Sequence, residues 1–206
     1  MSERTEREDA TEEARGPLDG LRVAFVVANE GVERAELVRP WEAVGAAGAT
    51  RLLAATDTGA VQLMDHVDKG PRWEAGLSTR ELRLEDVDAI VLPGGAVNSD
   101  ELRTDAAAVS LLREAFEAGR PVAAICHAPW SLVEADVLGN RTLTSWPSLR
   151  TDIENAGGIW VDEPVQLCTD GPNALVTSRK PDDLELFCST LLRVFRVEGR
   201  SEASHR

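Results

Sequence analysis

The residues best suited to chemistry in this chain are a cysteine and a histidine that follow a short apolar segment. Cys126 and His127 come directly after residues 121–125, which have the pattern of a buried strand, and a helical pattern begins immediately after them. A strand, a cysteine and a helix in this order form a nucleophile elbow, a sharp turn that lifts the reactive side chain clear of the sheet. The helix dipole favours a thiolate there. The spacing therefore predicts Cys126 as a nucleophile.

A reactive thiol needs a base or a charged partner, and the residues alone leave that partner open. His127 is the immediate neighbour of Cys126, so its ring is not expected to turn back toward the sulfur. His66 lies in a loop-like segment and His205 lies near the C-terminal end. Three acids follow strands closely enough to reach the same edge of a sheet: Glu30, Glu33 and Asp100.

Buried-strand patterns alternate along the chain with amphipathic helical patterns. The most apolar strands are predicted at residues 21–28, 50–55, 87–93 and 121–126, with shorter ones near 142–145, 159–161, 165–168 and 174–177. Helices are predicted at residues 33–47, 105–118, 149–156 and 182–195. The alternation predicts an α/β fold, a three-layer sandwich with a mostly parallel, flavodoxin-like central sheet.

The site is expected at one edge of that sheet. In open parallel sheets, ligands bind outside the carboxyl ends of the strands. Two features fall there, the Pro93-Gly94-Gly95 segment after one strand and the Cys126-His127 pair after another. The sequence therefore predicts that the glycine-rich loop faces the cysteine.

Length and composition indicate one domain, predicted at residues 20–197 between disordered tails at 1–19 and 198–206. The net charge of −14 argues against a nucleic-acid or anionic-membrane surface. There is no secretory signal pattern, and no apolar run is long enough to span a bilayer, which predicts a cytoplasmic protein. The spacing of the cysteines, histidines and acids predicts no metal site, and no phosphate-binding glycine motif is present, so we expect no cofactor.

Six segments together resemble the successive signatures of the PfpI family, the intracellular-protease-like branch of the DJ-one superfamily, which is related to class I glutamine amidotransferases. They are ANEGVERAEL (28–37), LPGGAVN (92–98), DELR (100–103), AICHAPW (124–130), LTSWPSLRTD (143–152) and VTSRKPDD (176–183). The resemblance covers about residues 20 to 196, in order and with fitting spacing. Several motifs that agree in order are far more specific than any one of them.

The resemblance implies a role for each of several residues. Cys126 would be the nucleophile, with Glu33 hydrogen-bonded to its sulfur. The backbone N–H groups of Gly95 and His127 would form an oxyanion hole. His127 would face an acid from a neighbouring subunit, for which Asp100 fits best, so the complete site would require a homodimer or a hexamer built from dimers.

Two residues depart from the family pattern, and several others are assigned to the pocket or to packing. Ala128 replaces the usual glycine after Cys-His, and alanine disfavours a positive φ at this position. Ser99 stands where relatives often have proline. Trp130, Trp146 and His66 are possible pocket residues. The remaining cysteines, Cys168 and Cys188, are predicted to be inert packing residues.

The predicted function is that of a cysteine-dependent enzyme acting on small carbonyl or acyl compounds, a deglycase-like or glyoxalase-like stress protein. An intracellular cysteine peptidase or amidase is an alternative with the same nucleophile. A non-enzymatic alternative is a redox-sensing or holdase-like stress protein that uses Cys126 as a switch. A glutamine amidotransferase triad is disfavoured because His205 is the only histidine after His127.

Overall fold

The structure is a computed structural model that describes residues 16–203. Its strands are β1 (Arg22–Val27), β2 (Val32–Glu33), β3 (Thr50–Ala55), β4 (Gly59–Asp65), β5 (Asp68–Ala75), β6 (Leu77–Ser78), β7 (Ala89–Leu92), β8 (Val122–Ile125), β9 (Thr142–Leu143), β10 (Ile159–Trp160), β11 (Val165–Cys168) and β12 (Leu175–Ser178). Its helices are α1 (Arg34–Ala46), α2 (Ala96–Leu102), α3 (Ala106–Glu117), α4 (Pro129–Glu134), α5 (Arg150–Asn155) and α6 (Leu184–Ala203).

The central sheet has seven strands in the order β11-β12-β8-β7-β1-β3-β6. All its pairs are parallel except β11 with β12, so the prediction of a mostly parallel α/β sandwich is confirmed. The chain runs outward from β1 to β3, then crosses to β7 on the other side of β1. Ligands of such sheets bind at this reversal, beyond the carboxyl ends of the strands.

Helices cover both faces of the central sheet because its strands are apolar on both sides. Along β1, Phe25 packs in one core with side chains of α1 and α6, and Val26 packs in the other with side chains of α3, α4 and α5. Both residues are fully buried. This two-sided burial explains why the strands have continuous apolar runs rather than alternating patterns.

A small second sheet was missed by the sequence patterns. β2, β4 and β5 form it, and β4 and β5 make a hairpin whose turn contains His66 at a φ of 60°. Residue alternation along β4 is weak because Gln62, between the buried Val61 and Leu63, is itself buried and donates to the carbonyls of Leu63 and Gly70. A buried glutamine breaks the apolar–polar alternation that identifies a half-buried strand.

Both predicted domain boundaries differ from the structure. Leu18 is fully buried and its N–H donates to the carbonyl of Ala47 at 2.9 Å, so packing begins before residue 20. Helix α6 continues to Ala203, beyond the predicted end at 197. The rest of the predicted tails, residues 1–15 and 204–206, lies outside the described residues. Within residues 16–203, none of the helices has the length and apolar character needed to cross a bilayer.

Candidate active site

Cys126 occupies a strained turn at the carboxyl end of β8. Its φ is 64°, a left-handed conformation that costs a residue with a side chain about 1–3 kcal/mol. Two hydrogen bonds hold it there: its N–H donates to Ser178 and its carbonyl accepts from the N–H of Trp146, both at 2.9 Å. The thiol residue is 7% exposed. This is the predicted nucleophile elbow.

The loop between β7 and α2 packs directly against the thiol. The backbone N–H groups of Gly95 and His127 both hydrogen-bond to the sulfur and lower the pKa of Cys126. Gly95 has a φ of 101°, and a side chain there would collide with the carbonyl of Gly31. These two N–H groups are the pair predicted for an oxyanion hole, and both face the Cys126 sulfur.

The carboxyl group beside the sulfur belongs to Glu36. This side chain extends from the first turn of α1, is fully buried, and lies against the Cys126 thiol and the backbone of Gly94. Although the Cys126 thiol is in hydrogen-bonding contact, neither carboxyl oxygen has a partner at standard hydrogen-bond geometry among the described residues. Burial, followed by the negative charge of Glu33, raises the pKa of Glu36 to about 8. Glu36 therefore keeps its proton at neutral pH.

The prediction that Glu33 binds the sulfur is wrong. Glu33 lies at the start of α1, where its Oε2 accepts the N–H of His66 at 3.2 Å. Glu36 comes one helical turn later, on the same buried face as Leu37 and Pro40, and points inward to β8. A glutamate on the apolar face of an amphipathic helix was the signal in the sequence that could have identified it.

Cys126 and Glu36 compete for a single negative charge. Burial and the charge of Glu36 raise the pKa of the Cys126 thiol, against the lowering effect of the two backbone N–H groups. Two buried acidic groups in contact cannot both ionise at low cost. A thiolate therefore forms most readily while Glu36 is protonated and can donate toward the sulfur.

The ring of His127 does turn toward the sulfur, contrary to the expectation from its position. Its Nδ1 lies 3.2 Å from Sγ of Cys126. The left-handed turn at Cys126 brings these consecutive side chains to one side of the chain. Burial lowers the pKa of His127, so its ring is neutral at pH 7 and has a nitrogen that can accept the thiol proton.

Two tryptophans hold the His127 ring. Trp146 stacks on it with 5.8 Å between centroids and an interplanar angle of 24°, and Trp130 packs at 5.3 Å in a tilted arrangement. The indole N–H of Trp130 donates to Asp152 at 2.7 Å, which joins α4 to α5. Asp152 was not among the predicted site residues; it could have been noted only from its segment, which flanks the pocket.

The thiol opens into a cavity of about 650 Å³. Cys126, His127, Glu36 and Gly95 line one part of it, and Trp146 and His66 line others, as predicted. Trp130 lies outside the lining, behind His127. This volume lies within the range of small-molecule sites.

The remaining predicted residues lie farther from the thiol. Asp100 is an exposed residue of α2 that does not line the pocket, and its action across a subunit boundary stays a prediction. Ala128 has a φ of −54°, so the strained backbone is at Cys126 and not at Ala128. Burial raises the pKa of Cys188 to about 11, and the Cys168 sulfur accepts from Arg141 at 3.3 Å.

Comparison with known proteins shows which family the chain belongs to. The sequence model of the DJ-1/PfpI family matches residues 21–194. The chain belongs to the DJ-1/PfpI family. It is 34% identical to a deglycase of Pyrococcus horikoshii over 176 residues, which are 85% of this chain and 100% of that protein. It is 40% identical to protein/nucleic acid deglycase 2 of Escherichia coli over 130 residues, which are 61% of this chain and 73% of that protein.

The fold of this DJ-1/PfpI protein is also that of solved structures. Drosophila melanogaster DJ-1beta superposes with a TM-score of 0.75 at 26% sequence identity, over 90% of this chain and 96% of that one. The predicted family membership and fold class are thus confirmed.

Proposed function

We propose that this protein is an enzyme that uses the Cys126 thiol on small carbonyl compounds, with deglycase-like or glyoxalase-like activity. The observation that carries the proposal is the convergence of five groups on one cavity. These are the thiol, the Glu36 carboxyl, the His127 ring and the two backbone N–H donors. The deglycase names of its Pyrococcus and Escherichia relatives support the same reading.

The arrangement suits addition of sulfur to an aldehyde. His127 accepts the thiol proton, the sulfur forms a bond to the carbonyl carbon, and the carbonyl π electrons become an alkoxide. The Gly95 and His127 N–H groups then donate to that oxygen. With methylglyoxal, a hydrogen shift within the adduct gives a thioester, and water releases lactate and restores the thiol. The overall change is methylglyoxal plus water to lactate, without an external oxidant.

Substitution of the nucleophile tests the proposal. Cys126→Ala should lower kcat/KM for methylglyoxal by at least about a thousandfold, because without the sulfur no covalent adduct forms. Lactate formation would be followed by an enzymatic assay at pH 7.

Cys188→Ala is the matched control, since it removes another partly buried thiol, one that lies in α6 away from the pocket. It should keep wild-type turnover. Equal rates for wild type and Cys126→Ala would contradict the proposal.

The alternatives fit the site less well. A peptidase or amidase could use the same thiol, but a cavity of about 650 Å³ is the size of a small-molecule pocket. A redox switch needs a thiol that oxidants reach from solvent, whereas Cys126 is only 7% exposed. We therefore place the small-carbonyl reaction first.

A further inference from the structure

We propose that the pocket beside Cys126 selects carbonyl substrates that carry a bulky apolar group, such as aryl or branched-alkyl 2-oxoaldehydes. This inference rests on the proposed function and names the substrate class for the same site.

Exposed apolar side chains are concentrated on the wall of this pocket. In the described part of the chain six large hydrophobic side chains are exposed, and three of them line the cavity: Val67 at 87%, Trp146 at 38% and Val97 at 55% exposure. They come from three separate elements, the β4–β5 turn, the segment after β9 and helix α2. Scattered exposed hydrophobic residues are ordinary, whereas three that converge on a concave site indicate an apolar ligand group.

The cavity is also larger than the smallest substrates require. About 650 Å³ is within the range of pockets that enclose drug-sized ligands, whereas methylglyoxal has only three carbons. Met64 and Pro181 extend the apolar lining beyond Val67, Val97 and Trp146. A substrate that reacts at Cys126 and fills this space therefore extends an apolar substituent along the wall.

Charge does not offer an equally clear basis for selection. Glu33 pairs in register with Met64, which pairs with Lys69, so these three side chains share one face of the small sheet and line the pocket. Glu30 lines it as well. The wall thus presents both signs, and Glu33 already accepts the N–H of His66. The apolar wall is the feature that distinguishes among carbonyl substrates.

Two substrates that share a reacting group but differ in bulk test this inference. Phenylglyoxal plus water gives mandelate, as methylglyoxal plus water gives lactate. We expect the wild-type kcat/KM to be at least about tenfold higher for phenylglyoxal. The double variant Val67→Thr/Val97→Thr keeps the shapes of both side chains and adds hydroxyls, so the ratio of the two kcat/KM values should fall at least about threefold.

Val197→Thr is the matched control, because Val197 is 61% exposed on α6 and lies outside the pocket lining. It should keep the wild-type ratio. Cys126-dependent turnover of methylglyoxal with no preference for phenylglyoxal would overturn this inference and leave the proposed function standing. The double variant could instead keep the wild-type ratio of the two kcat/KM values and elute at a different mass from wild type in size-exclusion chromatography. That result would also overturn the inference, and it would make the apolar wall a contact between subunits. Turnover that survives Cys126→Ala would instead overturn the proposed function.

Discussion

At the scale of single residues, the proposed chemistry depends on where one proton resides between Cys126 and Glu36. A protonated Glu36 can donate toward a thiolate, whereas an ionised Glu36 opposes its formation. The neutral His127 ring, 3.2 Å from the sulfur, offers the nearest alternative site for the thiol proton. In this proposal Glu36 keeps its proton and donates toward the sulfur, whereas His127 accepts the proton that the thiol loses.

Glu36→Gln tests the role of the Glu36 carboxyl as a donor toward the sulfur. Glutamine keeps the shape but replaces the carboxylic acid O–H that faces the thiolate with a weaker amide donor, so kcat/KM for methylglyoxal should fall by about a hundredfold. Because Glu36 has a pKa of about 8, wild-type kcat/KM should decline as the pH rises through that value and the carboxylate forms. Glu36→Gln should lack this decline, as a pH–rate profile from 6 to 9.5 would show.

Glu33→Gln is the matched control, the same change one helical turn earlier in a residue whose carboxylate contacts the hairpin turn. We expect a fall of less than about tenfold. A larger loss in Glu33→Gln than in Glu36→Gln would contradict the assignment of Glu36 as the partner of the sulfur.

The position of Cys126 in the fold was easier to predict from the sequence than the identity of the acid beside it. Cys126 stands at a strand-to-helix junction, and this local pattern can be recognised from consecutive residues. Choosing among Glu30, Glu33 and Glu36 requires knowing how α1 is rotated against the sheet, which depends on packing with residues far along the chain. The contact between His127 and Cys126 likewise depends on a φ of 64° that no residue type reveals.

At the scale of elements, the loop after β7 has two consecutive glycines, and the first of them leaves room for the Glu36 carboxyl and the Cys126 thiol to meet. A Cβ on Gly94 would lie 2.7 Å from the Cβ of Cys126 and would also collide with Oε2 of Glu36. Real Cβ atoms do not approach that closely, and both neighbours are held in packed elements. The missing side chain of Gly94 is what lets α1 and β8 bring carboxyl and thiol together.

Gly94→Ala should therefore displace the pair. We expect a loss of about 1–3 kcal/mol in the free energy of unfolding, the usual cost of overpacking, and at least a tenfold loss of kcat/KM. Urea denaturation and methylglyoxal turnover would measure the two effects.

Gly76→Ala is the matched control, since a Cβ there meets no atom within 4 Å. It should change both quantities little. If Gly94→Ala kept wild-type stability and activity, the loop would have shifted to accept the added methyl group, and its close packing would not be required.

Most elements that carry the site were predictable because they are buried on both faces. The predicted strand at residues 50–55 coincides with β3, and the predicted strands at 21–28, 87–93 and 121–126 contain β1, β7 and β8. The β4–β5 hairpin was not predicted, and it supplies Met64, His66, Val67 and Lys69 to the pocket wall. Thus the sheet edge that carries Cys126 could be predicted from the sequence, whereas the pocket wall formed by the hairpin could not.

At the scale of the whole molecule, we propose that Asp100 completes the site of a second copy. Asp100 is exposed on α2, which begins directly after Gly95, the residue whose N–H faces the sulfur. Negative charge from Glu30 and Asp100, after the larger effect of burial, raises the pKa of Glu101, so carboxylates cluster on this side of α2. A neighbouring subunit that presents the His127 ring to Asp100 would place a ring N–H donor beside this carboxylate.

Mixing two inactive variants tests action across subunits. Asp100→Asn and Cys126→Ala should each be strongly impaired alone. In a mixed dimer, one site combines an intact Cys126 with the intact Asp100 of its partner, so activity should return to about a quarter of the wild-type value after co-refolding.

The mass of the wild-type protein, measured by analytical ultracentrifugation, accompanies this experiment. Mixtures that stay inactive although mixed dimers form, or a monomeric wild type with full activity, would contradict the role of Asp100 across the interface.

The two hydrogen bonds of the Cys126 backbone also have a consequence for synthesis of the chain. Their partners, Trp146 and Ser178, are 20 and 52 residues downstream. A ribosome-bound chain that ends shortly after Cys126 therefore has the cysteine but lacks both supports for its left-handed turn. We therefore expect the left-handed turn at Cys126 to form only once β12 has paired with β8, late in the synthesis of the chain.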